Sequence, residues 1–380
     1  MVRLRPRGRV WAAACVLATL VSGCTSIDDT TEPIGPVVQC VPFDPVGSID
    51  QLNTQIATTK ASPYFLGADV GASVPLSDGR SIWVFGDTVR GAEVGGDRMV
   101  RNSMLMFEPG CLRPVVPPDG GAVIPDRDAT VGYWPMSIAV VPQKGFDLVG
   151  VMAQRVTGSG NAWSFQTLGP AIAVFRVEPG ELPELIEVTD LGPDNPSPAN
   201  PTWGAASAIG PDGFVYLYGT FKPADGSSFG YGVQVARAPV ADVPHQQKWT
   251  YWNGVEWQPD PAQAAVLVQP VGGVSQTFSV VFRDGKTYLI SKRDEALGED
   301  LIAWVGDQPQ GPFVASDPLA YIPSQPDKHL WVYMPIAHPD LLAKPDSVVV
   351  SISRNSDDLS IVLADPALYR PFFLEIELPD

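Results

Sequence analysis

The sequence predicts an all-β protein with the architecture of a five-bladed β-propeller. Three observations support this prediction. Proline and glycine are abundant, at 39 and 36 of 380 residues, and long helical periodicity is nearly absent. Asp-Gly and related turn pairs stand between alternating apolar runs, which is a strong hairpin signal. The hairpin recurs five times, at intervals of roughly 55 to 75 residues, which is the size of a propeller blade.

Each repeated unit has an aromatic cluster, an apolar strand, a Gly/Asp turn and a second apolar strand. The five predicted hairpins span residues 63–88, 132–156, 201–220, 277–293 and 331–355. Third strands are predicted at 103–109, 171–179, 232–239, 301–313 and 359–365, and a strand at 372–378 completes the last blade. The alternative is an irregular β-sandwich, but sandwiches lack a blade-sized repeat.

The N-terminal segment has the three parts of an export signal. Four arginines and no acid occupy the first nine residues, an apolar run covers 10–21, and Ser22-Gly23-Cys24 follows. This run is shorter than the roughly 20 residues that span a bilayer, which disfavours an uncleaved anchor helix. We therefore expect a signal peptide at 1–23, a lipidated cysteine with a flexible tether at 24–38, and the propeller domain at 39–380.

The sequence Val21-Ser22-Gly23-Cys24 resembles the bacterial lipobox. The resemblance implies that Cys24 becomes the first residue of the mature chain and carries a diacylglyceryl group. Two or more acyl chains are enough for stable anchoring. The expected location is therefore the outer face of the cell membrane, with the chain exported and held by lipid.

Two of the four cysteines remain for a disulfide. Cys15 leaves with the signal peptide and Cys24 is lipidated, so Cys40 and Cys111 form the remaining pair in an oxidising compartment. Two free buried thiols are the alternative. No CxxC or HExxH spacing is present, so the sequence predicts no metal site and no cofactor.

The charge is strongly acidic. The formal net charge of −17 becomes −21 once the four signal arginines are removed. Such a surface argues against nucleic acid and against electrostatic docking on anionic lipid. It suits a neutral substrate, and the many aromatic residues are consistent both with β-structure and with stacking on sugar rings.

Two acids stand out in the first predicted hairpin. Asp69 and Asp87 lie in otherwise apolar, glycine-flanked strands, where an unpaired carboxylate is costly. The turn near Asp78-Gly79 places them almost opposite each other, and a bulge or a three-residue loop would put both on one face. Cross-strand neighbours have Cβ atoms about 4.5–5.5 Å apart, which favours a retaining glycosidase over an inverting one. The alternative is that these aspartates only hydrogen-bond backbone turns within the blade.

The segment GADVGASVPLSDGRSIWVFGDT, residues 67–88, resembles the signature of the endo-D-arabinanases, glycoside hydrolase family 183, formerly domain of unknown function 4185. The resemblance implies a five-bladed propeller that cleaves α-D-arabinofuranosyl linkages in cell-wall arabinan, in arabinogalactan and lipoarabinomannan. It also implies a retaining mechanism with Asp69 as acid/base and Asp87 as nucleophile.

Residues at the ends of the predicted strands are candidates for binding the substrate. Aromatic residues that open the blades could stack on sugars: Tyr133, Trp134, Trp203, Phe278 and Tyr333. Packing within the blades is the alternative for each. Among polar residues, Asn102 and Ser103 could bind sugar hydroxyls, and Arg90 could orient a carboxylate or be an exposed surface arginine. Further candidates at the ends of strands in blades four and five are Gln276, Arg293 and Asn355.

Two other functions fit the same pattern. One is a non-catalytic propeller lipoprotein that binds glycan or protein, and the other is an exo-acting glycosidase on the same scaffold. The first predicts aspartates that do not share a cavity, and the second depends on loops around the funnel that the sequence does not reveal.

Overall fold

A computed structural model describes residues 38–59, 62–158 and 165–379. The predicted signal peptide, Cys24 and nearly all of the tether lie outside the described residues. None of the described helices has both the length and the apolar character needed to cross a membrane.

The described residues form five antiparallel sheets that follow one another along the chain. Blade one contains β1 Val41–Pro42, β2 Gly67–Pro75, β3 Ser81–Val89, β4 Met99–Val100, β5 Ser103–Glu108 and β6 Cys111–Val115. Blade two contains β7 Val131–Gln143, β8 Phe146–Gly158, β9 Phe165–Val177 and β10 Glu184–Asp190. Blade three contains β11 Thr202–Ile209, β12 Phe214–Phe221, β13 Gly232–Pro239, β14 Thr250–Trp252 and β15 Trp257–Gln258.

The remaining blades are shorter. Blade four contains β16 Ser279–Arg283, β17 Lys286–Lys292, β18 Asp300–Gly306, β19 Val314–Ala315 and β20 Ala320–Tyr321. Blade five contains β21 Leu330–His338, β22 Ser347–Ser356 and β23 Phe372–Glu377. The α-helices are α1 Ile49–Thr58 and α2 Leu359–Ala364.

The first long strand of each blade faces the centre of the molecule. These inner strands are β2, β7, β11, β16 and β21. Each contacts the inner strands of the two neighbouring blades, and the contact between β21 and β2 closes the ring. Apolar side chains on both faces of the blades pack against those of the adjacent blades to form the core. The predicted five-bladed β-propeller is confirmed.

The regular pairing of the inner strands is interrupted near one end of the channel. The strand register shifts in the first half of four inner strands, at 68–70, 135–137, 203–206 and 333–335. In blade four the regular inner strand begins only at Ser279. A β-bulge bends its strand and re-aims the neighbouring side chain. Val70 and Met334 accordingly have left-handed backbone angles, with φ of 66° and 46°.

The N-terminal segment closes the ring between the first and last blades. Strand β1 pairs with the outer strand β6, and the predicted disulfide between Cys40 and Cys111 is present beside this pairing. Helix α1 packs on β23, where the Asn53 amide donates to the carbonyl of Phe373 at 2.9 Å and accepts from its N–H at 2.8 Å. Closure therefore uses a helix and not an exchanged strand.

One predicted strand is wrong. Most of the segment predicted as a strand, 359–365, is helix α2, Leu359–Ala364, and β23 is the outer strand of blade five. Asp358 caps the helix by accepting from the N–H of Ser360 at 2.9 Å, and Pro366 follows its end. The apolar run supplies Val362 to a small cluster around Tyr369, so tertiary packing overrides the β-propensity of these residues.

Candidate active site

A cavity of about 290 Å³ opens at the bulged end of the channel. Every blade contributes to its wall. The polar and aromatic lining comprises Asp69, Asp87, Trp134, Gln154, Phe165, Lys222, Tyr231, Gln276, Glu295, Tyr333 and Asn355. The predicted aspartates thus share one cavity with Trp134, Gln276, Tyr333 and Asn355, which were also predicted.

The hairpin of β2 and β3 brings the two aspartates together. Ala68 pairs with Thr88 and Val70 pairs with Phe85, so the bulged Asp69 lies beside Gly86 and Asp87. The sequence analysis predicted either a bulge or a three-residue loop in this hairpin, and the structure has the bulge. A Cβ atom at Gly86 would overlap Oδ1 of Asp69, so only glycine permits this close approach.

Tyrosines bind the carboxylate of Asp69. The Tyr333 hydroxyl donates to Oδ2 at 2.7 Å, and the Asn355 amide donates to the Tyr333 hydroxyl at 3.2 Å. Burial raises the pKa of Asp69 to about 6, although hydrogen bonds from Tyr333 and Tyr369 lower it. Asp69 is therefore a fixed member of the wall.

Asp87 is bound by a single indole. The Nε1–H of Trp134 donates to Oδ1 of Asp87 at 2.8 Å. Burial raises the pKa of Asp87 to about 7, and the negative charge of Asp69 raises it further, against the opposing effect of Trp134. Like charges on neighbouring carboxyl groups disfavour ionisation of both, which favours a proton on the pair up to a pH near the pKa of Asp87.

The sequence analysis missed a third carboxyl group of the cavity, which is half-buried. Glu295 follows β17, in a loop whose residues Asp294 and Glu295 have φ of 58° and 60°. The N–H of Gln276 donates to its Oε2 at 3.3 Å. Burial raises the pKa of Glu295, while Ser275, Lys222 and Gln276 act to lower it. The surrounding sequence, KRDEALGED, is dense in charge and resembles an exposed loop.

Blade three supplies a cation to the same cavity. The Lys222 ammonium lies 4.4 Å from the ring centroid of Tyr231. Burial lowers the pKa of Lys222, and the charge of Glu295 opposes this effect. The side-chain amide of Gln276 donates to the side-chain oxygen of Gln154 at 2.9 Å, and this hydrogen bond joins blades four and two. Neither Lys222 nor Tyr231 was predicted.

Several predicted binding residues hold the scaffold instead. The buried Arg90 donates to the carbonyls of Gly120 and Gly121. The buried Asn102 amide donates to the carbonyls of Ile124 and Tyr133 at 2.9 and 3.0 Å. Both residues order the segment after blade one, outside the cavity.

Three predicted aromatic residues pack within or between blades. Tyr133 precedes Trp134 and points to the opposite face of β7, where its hydroxyl donates to Asp190 at 3.0 Å. Trp203 packs edge to face with Tyr251 at 5.1 Å, and Phe278 packs with Tyr218 at 6.3 Å. Packing was the alternative for each, and it is what the structure shows.

Within the described ranges, no three His, Cys, Asp or Glu side chains are grouped so that they could hold a metal ion. The side chains that line the cavity supply carboxyl groups, one ammonium group and several amides and phenols.

The fold and cavity define a five-bladed β-propeller with three half-buried carboxyl groups in its central cavity. The chain belongs to the family described as Domain of unknown function (DUF5005), which it matches over residues 54–378. This match corrects the resemblance to the endo-D-arabinanases of family 183, which rested on one hairpin. The roles of Asp69 and Asp87 that the resemblance implied lose that basis.

Solved structures share the fold. A candidate hydrolase from Bacteroides ovatus has a TM-score of 0.67 at 20% identity, over 89% of this chain and 93% of the other. The GH43_1 enzyme from Xanthomonas citri has a TM-score of 0.48 at 14% identity, over 86% and 93%. An α-L-arabinofuranosidase from Fusarium graminearum has a TM-score of 0.45 at 11% identity, over 90% and 86%. No curated protein matches the sequence.

Proposed function

We propose that this protein is a glycoside hydrolase and that hydrolysis takes place in the central cavity. The observation that carries the proposal is the pair Asp69 and Asp87, whose carboxyl groups share a cavity wall and have raised pKa values. Glycosidases use a pair of carboxyl groups, one of which must be protonated near neutral pH to assist the leaving group.

Asp87 is the general acid in this proposal. Its pKa of about 7 keeps a substantial fraction protonated at neutral pH. Trp134 fixes its orientation through Oδ1, and among the described residues no second donor contacts Oδ2. The acid proton would pass from Asp87 to the glycosidic oxygen as the bond to the anomeric carbon breaks.

Aromatic side chains next to Asp87 suit a sugar ring. Trp134 and Phe165 pack edge to face, with ring centroids 4.6 Å apart, and both line the cavity. The net charge of −17 favours a neutral sugar over an acidic one. The hypothesis of a D-arabinan substrate and of endo action came from the resemblance to family 183, so we propose the class of substrate and not its name.

The second carboxyl decides the stereochemistry. Asp69 in that role would give retention, as the sequence analysis predicted from cross-strand spacing. A carboxyl on another wall would leave room for water and give inversion. The cavity holds such a group in Glu295.

Residues 25–380 and matched variants provide the test. The protein would be incubated with aryl furanosides and pyranosides of neutral sugars, and with arabinan, arabinogalactan and xylan. We expect Asp87→Asn to lower kcat/KM about 10²–10⁴-fold on the polymer that the wild type cleaves best. Asp317→Asn, an exposed change at the edge of blade four, is the control and should leave the rate unchanged. Failure of the wild type to cleave any glycoside would contradict the proposal.

We also propose that the protein is exported and anchored through a lipid on Cys24. The N-terminal sequence features given above support this proposal. Expression of the full chain and of Cys24→Ala in a bacterial host, followed by separation of membrane and soluble fractions, tests it. We expect only the unsubstituted chain in the membrane fraction, and equal distribution of the two would exclude a lipid anchor at Cys24.

A further inference from the structure

The loop that carries Glu295 combines an unfavourable backbone conformation with a buried lysine. Asp294 and Glu295 both have left-handed backbone angles. The ammonium of Lys292, which is fully buried, donates to the carbonyls of Val332 at 2.6 Å and Ala296 at 3.3 Å. The hydroxyl of Ser324 also donates to the Ala296 carbonyl, at 2.7 Å. Strained backbone conformations cluster at active sites and ligand-binding sites.

The loop places Glu295 across the cavity from the aspartates. The inner strand of blade four contacts those of blades three and five, whereas the inner strand of blade one contacts those of blades two and five. Glu295 on blade four and Asp87 on blade one are thus separated by blade five in one direction and by blades two and three in the other. Both line the same cavity, so a bound sugar would lie between them.

Burial raises the pKa of all three carboxyl groups, but the charges that surround them differ between the two walls. Lys222 supplies a positive charge to Glu295, and the N–H of Gln276 donates to its carboxylate. No described cation hydrogen-bonds to Asp69 or Asp87, which face each other. The negative charge of Asp69 opposes ionisation of Asp87 more strongly than the charge of Arg101 favours it, so the neighbouring charges favour ionisation at Glu295 and retention of a proton at Asp87.

We infer that Glu295 is the catalytic base of the cavity and that hydrolysis proceeds with inversion of configuration at the anomeric carbon. The inference rests on the proposed glycoside hydrolase function. Water adds its oxygen to the anomeric carbon while Glu295 accepts one of its protons. Asp87 gives its proton to the leaving oxygen as the C–O bond breaks, and exchange with solvent restores both groups. Asp69 is a positioning residue that keeps the proton on Asp87.

Leaving-group dependence separates the acid from the base. The probes are the aryl glycosides of the sugar that the wild type cleaves best, with a phenyl or a 2,4-dinitrophenyl group. Dinitrophenolate leaves without protonation, so Asp87→Asn should lose much more activity on the phenyl glycoside than on the dinitrophenyl glycoside. Glu295→Gln should lose about 10²–10⁴-fold on both. Glu299→Gln, an exposed acid four residues further on, should match the wild type.

The pH profile tests Lys222 in the same assay. Loss of its charge in Lys222→Met should raise the pKa of Glu295 and move the acidic limb of kcat/KM to higher pH. A purely structural role would lower the rate without moving this limb.

The configuration of the first-formed product, read by NMR, completes the test, with inversion expected. Retention, or an unchanged rate in a folded Glu295→Gln variant, would overturn the inference while leaving the glycosidase proposal intact. If the wild type hydrolyses no glycoside at all, the proposed function itself has failed.

Discussion

At the scale of residues, Asp87 couples the stability of the protein to its proposed chemistry. Its carboxyl group is surrounded by Trp134, Asp69 and the apolar strand that carries it, so ionisation is unfavourable in the folded state. The raised pKa means that protonation stabilises the fold. This contribution is complete below the ordinary pKa of 3.8 and is lost as the pH rises through about 7.

Asp87→Asn should therefore stabilise the protein while it removes activity. The amide keeps an oxygen that can accept from Trp134 but has no charge to bury. At pH 8 we expect a gain in the free energy of unfolding on the order of 2 kcal/mol. The gain should vanish near pH 4, where the wild-type carboxyl is protonated. Denaturant unfolding at both pH values provides the measurement, and an equal gain at both would show that the pKa is not raised.

Some residues of the site could be predicted from the sequence and others could not. Asp69 and Asp87 could be found because carboxyl groups in apolar strands are conspicuous. Glu295 could not, because its burial comes from Lys292 and from a loop conformation that local sequence does not reveal. Tyr133 and Trp134 were equal candidates, and the strand alternation and the bulge of β7 determine that only Trp134 reaches the cavity.

At the scale of elements, the bulges of the inner strands divide the channel into two parts, each with its own cavity. Beyond the bulges the strands pair regularly. On the N-terminal side of the bulges, side chains such as those of Trp134 and Tyr333 point into the cavity. Hairpin positions were predictable because turn residues and alternation are local signals. Helix α2 was not, because its cap and a single buried side chain outweigh a β-type sequence.

His338 is a residue of β21 that should make the stability of the protein depend on pH. It lies at the end of β21, where its ring nitrogens bond to the hydroxyls of Ser73 on β2 at 2.7 Å and Ser351 on β22 at 2.8 Å. It also stacks on Trp83 at 4.5 Å. Burial lowers the pKa of His338 to about 3, so the folded state disfavours its charged form.

We expect acid to weaken the junction of blades one and five through His338. Its contribution to stability is present above the ordinary pKa of 6.5 and is lost as the pH falls toward 3, at up to about 1.4 kcal/mol per pH unit. The destabilisation caused by His338→Gln should therefore be large at pH 8 and shrink below pH 6. Thermal unfolding of both proteins across this range is the measurement, and a destabilisation independent of pH would contradict the expectation.

At the scale of the whole molecule, covalent and non-covalent links close the ring. The disulfide bridges positions separated by 71 residues, and α1 joins the last strand to the first blade. Blade number and chain order followed from the repeat, but this mode of closure did not, because α1 carries no motif and depends on the distant Phe373 and Arg370.

Removal of the disulfide should lower the stability of the whole domain. For the double variant Cys40→Ser with Cys111→Ser we expect a loss of about 2–4 kcal/mol in the free energy of unfolding, because the unfolded chain gains loop freedom. Activity at low temperature should persist, since the cavity lies on the opposite side of blade one from β6. Urea unfolding with and without reductant checks the loss, and an unchanged midpoint would show that the bond is not formed.

The position of Cys40 also determines how the domain would respond to mechanical tension. If the proposed lipid anchor holds the N-terminus, a pull from bound polymer enters the domain at Cys40. The covalent bond to Cys111 passes that force directly to the outer strand β6. The bypassed loop contains α1 and the hairpin that aligns Asp69 with Asp87, so the tension would not have to pass along the backbone of that loop to reach β6. Reduction of the bond would place that hairpin in series with the pull.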